Sequence, residues 1–392
     1  MSAPSHVDSP EERGGTSAPI PFHRPHRTGL EEKYVAAAMR GDHWRGDGPF
    51  SARAAEALRA VVGGGRVLLT PSCTAALELA ALALRLQEGD EVIVPSFTFV
   101  STASAFALRG AKIVFADVDP ATLCIDPHDV ERLLGPRTRA VVCVHYAGVA
   151  ADVTALRALC AGRGIHLVED SAHGLFGSVN GLPLSSFGAL AALSFHDTKN
   201  ITCGEGGALI VNDESLFDLI EVLREKGTNR SRFLRGDVPR YSWVEVGSSY
   251  LLSDLLAAVL CAQLEHSVSI QRRRHALWQR YHTELQGWAR DIGATMPVVP
   301  AGVAHAAHLT WLRMPDAAAR SALITHLRER GVDARFHYHA LHTSDVGRRL
   351  QSVPRPCPVS EAAAATLVRL PLYPDLTDAE QTRVLEAVRA YR

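Results

Sequence analysis

Seven short apolar runs in the first 211 residues constrain this chain more than any other feature. They are VLLT (67–70), EVIVP (91–95), KIVFADV (112–118), AVVCVHY (140–146), HLVED (166–170), ALAALSF (189–195) and GALIV (207–211). Segments of helical pattern separate most of them: AALELAALALRL (75–86), HDVERLL (128–134) and VTALRALCAGR (153–163). Wholly apolar strands alternating with helices indicate a parallel sheet covered on both faces. Two close pairs break the alternation, so part of the sheet is expected to be antiparallel. With 392 residues, 47% of them hydrophobic, the chain can build a large core and a second lobe.

The flanks differ in texture. Residues 1–20 are rich in Ser, Pro, Gly and Glu and read as a flexible tail. Residues 28–62 have a helical pattern interrupted by the glycine-rich stretch GDHWRGDGPFS (41–51). Past residue 211, SLFDLIEVLREKG is helical, and TNRSRFLRGDVPRYSWVEVG is polar and loop-like. The stretch LLSDLLAAVLCAQLEHSVSIQRRRHALWQRYHTELQGW reads as one long helix or two joined ones. From about residue 290 a smaller α/β part is expected, with strands near HLTWLRM (308–314) and DARFHYH (333–339). The resulting division is a tail (1–20), a large domain (21–265) and a small C-terminal domain (266–392).

Composition removes several function classes. The net charge is −1 and aromatic residues are 6%, so neither a cationic footprint nor a base-stacking surface favours nucleic acid. No run of 18 apolar residues and no hydrophobic signal core suggests a membrane. The seven cysteines are odd in number, scattered and without a CxxC pair, which fits reduced thiols in a cytoplasm. His305, His308, His337, His339 and His342 have no HExxH spacing and no cysteine partners, so no metal site is expected.

The chemistry gathers at strand ends. SFHDTKNITCGEGG (194–207) places Lys199 after an apolar run and ahead of three closely spaced glycines. In TPSCTAAL (70–77), Ser72, Cys73 and Thr74 stand between a strand and a helix, where open N–H groups and hydroxyls bind anions. Alone, that segment reads more readily as a plain Ser N-cap. In HLVEDSAHG (166–174), Asp170 ends a strand at the edge where open α/β sheets bind ligands, though an Asp that only caps a turn looks the same. Together these signals fit one cofactor. A lysine that forms an imine needs an aldehyde partner. Pyridoxal phosphate supplies it and needs a carboxylate for its ring nitrogen, an anion cradle and flat side chains over its ring. Asp170, then Ser72 to Thr74 with Ser194, then Phe99 with His173 are the candidates. Arg230, Arg232 and Arg235 form a charge run that suits either a diphosphate or solvent.

With those residues in view, the chain resembles the DegT/DnrJ/StrS family of nucleotide-sugar aminotransferases. The resemblance runs from about residue 21 to residue 380. It rests on SCTAALE (72–78), PSFTFVSTASA (95–105), EDSAHG (169–174), SFHDTKN (194–200), GEGG (204–207) and RLPLYPDLT (369–377). It implies pyridoxal 5'-phosphate and the aspartate aminotransferase-like fold type I, with a mostly parallel seven-stranded sheet and a smaller C-terminal α/β domain. By resemblance, Lys199 carries the cofactor and moves the proton, and Asp170 pairs with the pyridine nitrogen. His173 and Phe99 flank the ring, and Cys73, Thr74 and Ser194 hold the phosphate. GEGG is expected to let the backbone pass close beneath cofactor and substrate. His337 and Tyr338 line the substrate pocket. The resemblance also implies a homodimer with shared active sites. Ser249, within GSSYLLSDL (247–255), stands where much of the family has an Asn that reaches the partner's phosphate. KGTNRS (226–231), RYSW (240–243) and GSSY (247–250) resemble the subfamily that makes dTDP-4-amino-4,6-dideoxygalactose. That likeness implies a dTDP-4-keto-6-deoxyhexose as acceptor and L-glutamate as donor. A 4-keto pentose acceptor in natural-product biosynthesis and a non-catalytic cofactor-binding regulator are the alternatives.

Overall fold

The computed structural model describes residues 18–392. Its centre is a seven-stranded sheet of β1 (Arg66–Thr70), β2 (Glu91–Pro95), β3 (Lys112–Ala116), β4 (Thr138–Val144), β5 (His166–Asp170), β6 (Leu190–Ser194) and β7 (Gly207–Val211). The spatial order is β1-β7-β6-β5-β4-β2-β3. From β3 through β6 neighbours run parallel, and β7 lies antiparallel between β6 and β1. All seven expected strands are present, and the antiparallel part is the single strand β7.

The lack of polar–apolar alternation has a direct cause. Val92 and Val94, Val142, Ala192 and Leu209 face a core under the helices Cys73–Ala83, Ser101–Ala107 and Phe217–Arg224. Their neighbours Ile93, Val141 and Cys143 point to a core on the opposite face. Ala191, Leu193 and Ile210 do the same further along the sheet, beneath the helices Pro49–Val61 and Asp254–Glu265. Both faces are buried, so both side-chain registers are apolar.

The expected long helix is two helices, Asp254–Glu265 and Ser267–Asp291, meeting at His266. The chain changes cores there. Leu260 and Leu264 pack beneath the sheet, whereas Leu277, Trp278, Tyr281 and Leu285 belong to a C-terminal core with Leu312, Val368 and Val384. Ile20 joins that C-terminal core, and its amide donates to Gly331 O at 2.8 Å. This corrects the tail expectation at its end, because an apolar side chain there finds a core to enter. The remainder of the expected tail, residues 1–17, lies outside the described residues.

A second correction concerns residues 333–339. No strand forms there. The C-terminal strand pair is Thr310–Arg313 with Leu367–Leu370, and the 333–339 segment touches it only at the bridge between Arg335 and Arg369. Beyond Arg335 the chain leaves the sheet, and His337 and Tyr338 come against Tyr146. Among the described residues no helix is long and apolar enough to cross a membrane.

Candidate active site

The strand register sets the geometry. Asp170 pairs with Val144 on one side and Ala192 on the other, at the C-terminal edge of the parallel strands. Two residues further on, Ser194, Gly207 and Thr70 form a row across β6, β7 and β1. A Cβ on Gly207 would lie 2.4 Å from the carbonyl carbon of Ser72. The glycine therefore lets β7 lie against the Ser72–Cys73 peptide, where the helix Cys73–Ala83 begins. The expectation for GEGG is thereby altered at its last residue: what Gly207 accommodates is the backbone of the anion cradle.

In that cradle the Ser72 hydroxyl accepts from Ala75 N at 3.0 Å and its carbonyl from Ala76 N at 3.1 Å. The amides of Cys73 and Thr74, in the first turn of the helix, remain for an anion. The Thr74 and Ser101 hydroxyls lie 2.7 Å apart beside them. The Cys73 thiol turns away, toward Asp170 Oδ1 at 4.0 Å, and burial raises its pKa well above the usual thiol value.

Asp170 is 4% exposed. Thr102 Oγ1 donates to its Oδ2 at 2.7 Å and Ala172 N to its Oδ1 at 3.1 Å. Burial raises its carboxyl above the usual range, and these donors together with Lys199 oppose the rise. The adjacent Glu169 points the other way, into the protein. There it accepts from His145 Nε2 at 3.0 Å and from the amides of Ser185, Phe187 and Gly188 at 3.0, 2.8 and 2.7 Å. Burial works against its charge, but His145 and these amides hold its pKa below the usual value. Glu169 thus anchors the strand end that presents Asp170.

Lys199 sits in the turn after β6, with its amide donating to His196 O at 2.9 Å. Burial lowers its amine from 10.5 to about 8, with Cys73 and Asp170 opposing and Arg369 assisting. A small cavity brings Lys199 together with Ser194, Ala172, His173, Asn200 and His308. His173 is buried and its Nδ1 has no partner. Burial, with Lys199 next, keeps it neutral well below the usual histidine range. His337 Nδ1 lies 3.1 Å from the Tyr146 hydroxyl. Tyr338 packs on Phe97 and Tyr146, and Phe99, 55% exposed, stands 6.2 Å from Tyr338.

Two of the expected residues lie elsewhere within this chain. Arg230 Nη1 donates to Glu225 Oε1 at 2.6 Å, so its charge is already paired. Ser249 is exposed and bridges to Glu225 through its backbone. Neither lines the cavity beside Lys199. Arg235 is likewise paired, with Glu221 and Asp237.

Sequence reasoning passed over Thr102, Tyr146, Asn200, His308 and Arg369. Thr102, Asn200 and Arg369 lie inside the family motifs themselves, and that position was the available signal. Arg369 donates through Nη2 to Phe336 O at 3.0 Å, and its buried Nε has no partner. Its guanidinium stands 4.6 Å over the Phe22 ring, which also lies under Arg335. Arg335 is neutralised by Asp333 at 2.7 Å. Among the described residues no carboxylate pairs with Arg369.

The histidine run separates into different environments. His342 bonds Ser96 and Glu361, and His339 packs on Phe336. His305 lies 4.1 Å from Trp278 and 4.9 Å from His275, and His282 stacks on the same indole at 4.7 Å. Burial lowers all three of these imidazoles, His305 to about 4. A histidine depressed in the folded state stabilises fully above its unfolded pKa of about 6.5. That stability is lost as pH falls toward 4, because the unfolded chain then binds a proton that the folded chain refuses. The expected loss for His305 is about 3 kcal/mol. Urea midpoints measured from pH 7.5 to 4.5 should fall steeply below 6.5, and less so in His305→Asn. A flat profile would contradict the assignment.

The donor set suits pyridoxal phosphate. Open amides at a helix start suit its phosphate, the buried carboxylate its ring nitrogen, the depressed lysine its aldehyde, and the unpartnered buried His173 ring an aromatic face.

Comparison with known proteins agrees with this geometry. The aminotransferase TlmJ from Streptoalloteichus hindustanus is 33% identical, with a TM-score of 0.86 over 95% of this chain and 98% of its own. The putative sugar aminotransferase Spr1654 from Streptococcus pneumoniae, solved in its PLP-form, is 25% identical, with a TM-score of 0.87 over 95% and 98%. The sugar aminotransferase CalS13 from Micromonospora echinospora is 26% identical, with a TM-score of 0.86 over 95% and 99%. Residues 26–389 match one family throughout, and the expected fold type I is the fold observed. This chain belongs to the DegT/DnrJ/EryC1/StrS aminotransferase family.

Proposed function

We propose that the protein transfers an amino group from L-glutamate to a dTDP-linked 4-keto-6-deoxyhexose, with pyridoxal phosphate as cofactor. The observation that carries this reading is the buried Lys199 amine, lowered to about 8, beside Asp170 and the unpaired Arg369. Pyridoxal phosphate, when bound, supplies the electron sink for a carbanion at the donor's α-carbon. The chain's own residues do the rest. Asp170 holds the ring nitrogen protonated, His173 covers one face, and Ser72 to Thr74 with Ser194 hold the phosphate. A lysine near 8 is neutral in a useful fraction at physiological pH, so Lys199 Nζ both accepts and returns a proton. The guanidinium of Arg369 takes one carboxylate of the donor amino acid.

A panel of dTDP-4-keto sugars, 6-deoxyhexose and pentose, with L-glutamate and product analysis by NMR tests the reading. Amination of none of them would overturn it. In the same assay Arg369→Gln should raise KM for glutamate by about 10- to 100-fold and leave KM for the sugar within about twofold. The reverse pattern would move Arg369 to the nucleotide diphosphate.

The reading includes a homodimer with shared sites. Phe233, Leu234, Tyr241, Trp243 and Val246 are exposed along segment 229–249, as is Phe99. So much apolar surface on one segment suits a partner subunit. Ser249 lies in the same segment and is exposed, so it is assigned to the partner's site. Lys199→Ala and Ser249→Arg should each be inactive alone. Refolded together they should recover up to about a quarter of wild-type activity, since half the dimers are mixed and each holds one intact site. No recovery despite proven mixing would place each site within one chain.

A further inference from the structure

His173 cannot set its own orientation. Its Nδ1 is buried without a hydrogen-bond partner, so packing alone fixes the rotation of the ring. The nearest flat neighbour is His308, stacked at 4.2 Å with 25° between planes. Tyr146 and His337 are further off, at 6.0 and 6.2 Å.

His308 is itself held rigidly. Asn200 uses both N–H bonds of its amide, donating to Ala306 O at 2.8 Å and to Gln271 Oε1 at 3.0 Å. Gln271 Nε2 donates in turn to Ala306 O at 2.6 Å, which fixes its own amide the same way round. The Asn200 oxygen therefore faces His308 Nδ1, 2.9 Å away, and His308 carries its proton on Nδ1. Behind it, buried Arg274 donates to the carbonyls of Ala307 and His308. Ala307 lies in the left-handed region at φ 47°, and the turn it makes presents His308. Burial, with His173, Lys199 and Arg274 adding to it, keeps the ring neutral, so the stack carries no charge repulsion.

One imidazole thus braces two parts of the site. Its face supports His173, and its Nδ1–H holds Asn200, the residue after Lys199. We propose that His308 is the positioning residue for both the His173 ring and the Lys199 turn. The proposal rests on the reading of His173 and Lys199 as cofactor contacts.

Two variants separate the two functions. His308→Asn keeps an N–H donor near the Nδ1 position and removes the ring. His308→Phe keeps the ring and removes the donor. In the holoenzyme, His308→Asn should weaken the visible circular-dichroism band of the bound cofactor and speed cofactor loss about three- to tenfold. His308→Phe should keep that band and raise amide hydrogen exchange across residues 196–203 about three- to tenfold. Wild-type values for both variants in both measurements would overturn the proposal. So would equal losses in both variants accompanied by a lower melting temperature, since that pattern describes a packing residue only. His173→Ala is the control. If it leaves the band unchanged, the assignment of His173 to the cofactor ring fails, and the fault lies there rather than in the brace.

Discussion

Lys199→Ala is expected to abolish turnover, by about 10⁴-fold or more, in a protein that still folds and still binds the cofactor without a covalent bond. The lysine ends a turn whose backbone is tied independently, through Lys199 N to His196 O, Cys203 N to Phe195 O and Phe195 N to Gly206 O. Removing the side chain therefore leaves the turn in place. The cofactor-free variant should even be more stable. Burial has lowered the amine from 10.5 to about 8, so below pH 8 the folded chain holds a charge that its surroundings disfavour. Truncation removes that penalty, which amounts to at most about 3 kcal/mol and fades as pH rises from 8 toward 10.5. Borohydride reduction of the holoenzyme followed by peptide mapping should label Lys199, one of only four lysines in the chain. A label on Lys33, Lys112 or Lys226 would overturn the assignment.

Asp170→Asn is expected to lower kcat by about 10²- to 10³-fold with little change in stability. The amide keeps the shape of the carboxylate and one acceptor for Thr102. It loses the negative charge, which burial already disfavours and which only nearby donors and Lys199 sustain. A neutral amide cannot hold a pyridine nitrogen protonated, so the electron sink weakens while the fold is relieved of a buried charge. Stopped-flow spectra of the half-reaction with glutamate measure the loss. Turnover near wild type would reduce Asp170 to a structural cap.

The strands, their two-sided burial and the two principal site residues are legible in the amino-acid sequence. A strand buried on both faces must be apolar in both registers, so β2, β4, β6 and β7 announce themselves locally. Asp170, the last residue of one such run, and Lys199, in the turn after another, are legible because together with Ser72 to Thr74 they meet the demands of one cofactor. Contact between distant segments is not legible in the same way. DARFHYH has the alternation of a strand, but only Arg335 finds a sheet partner, and Leu367–Leu370 takes the position instead. Ile20 looks like part of a polar tail until the C-terminal core closes over it. His305, His308, His337, His339 and His342 look like one cluster, yet the fold distributes them among a tryptophan pocket, the His173 stack, a tyrosine hydroxyl, a phenylalanine face and a carboxylate. The role of His308 depends on a ring 135 residues away in the chain, and that of Arg369 on a missing partner. Periodicity is a property of neighbours in the chain, and it determined the elements here. Which ring backs His173, and which arginine keeps an unpaired charge beside Lys199, are properties of neighbours in space, which only tertiary packing decides.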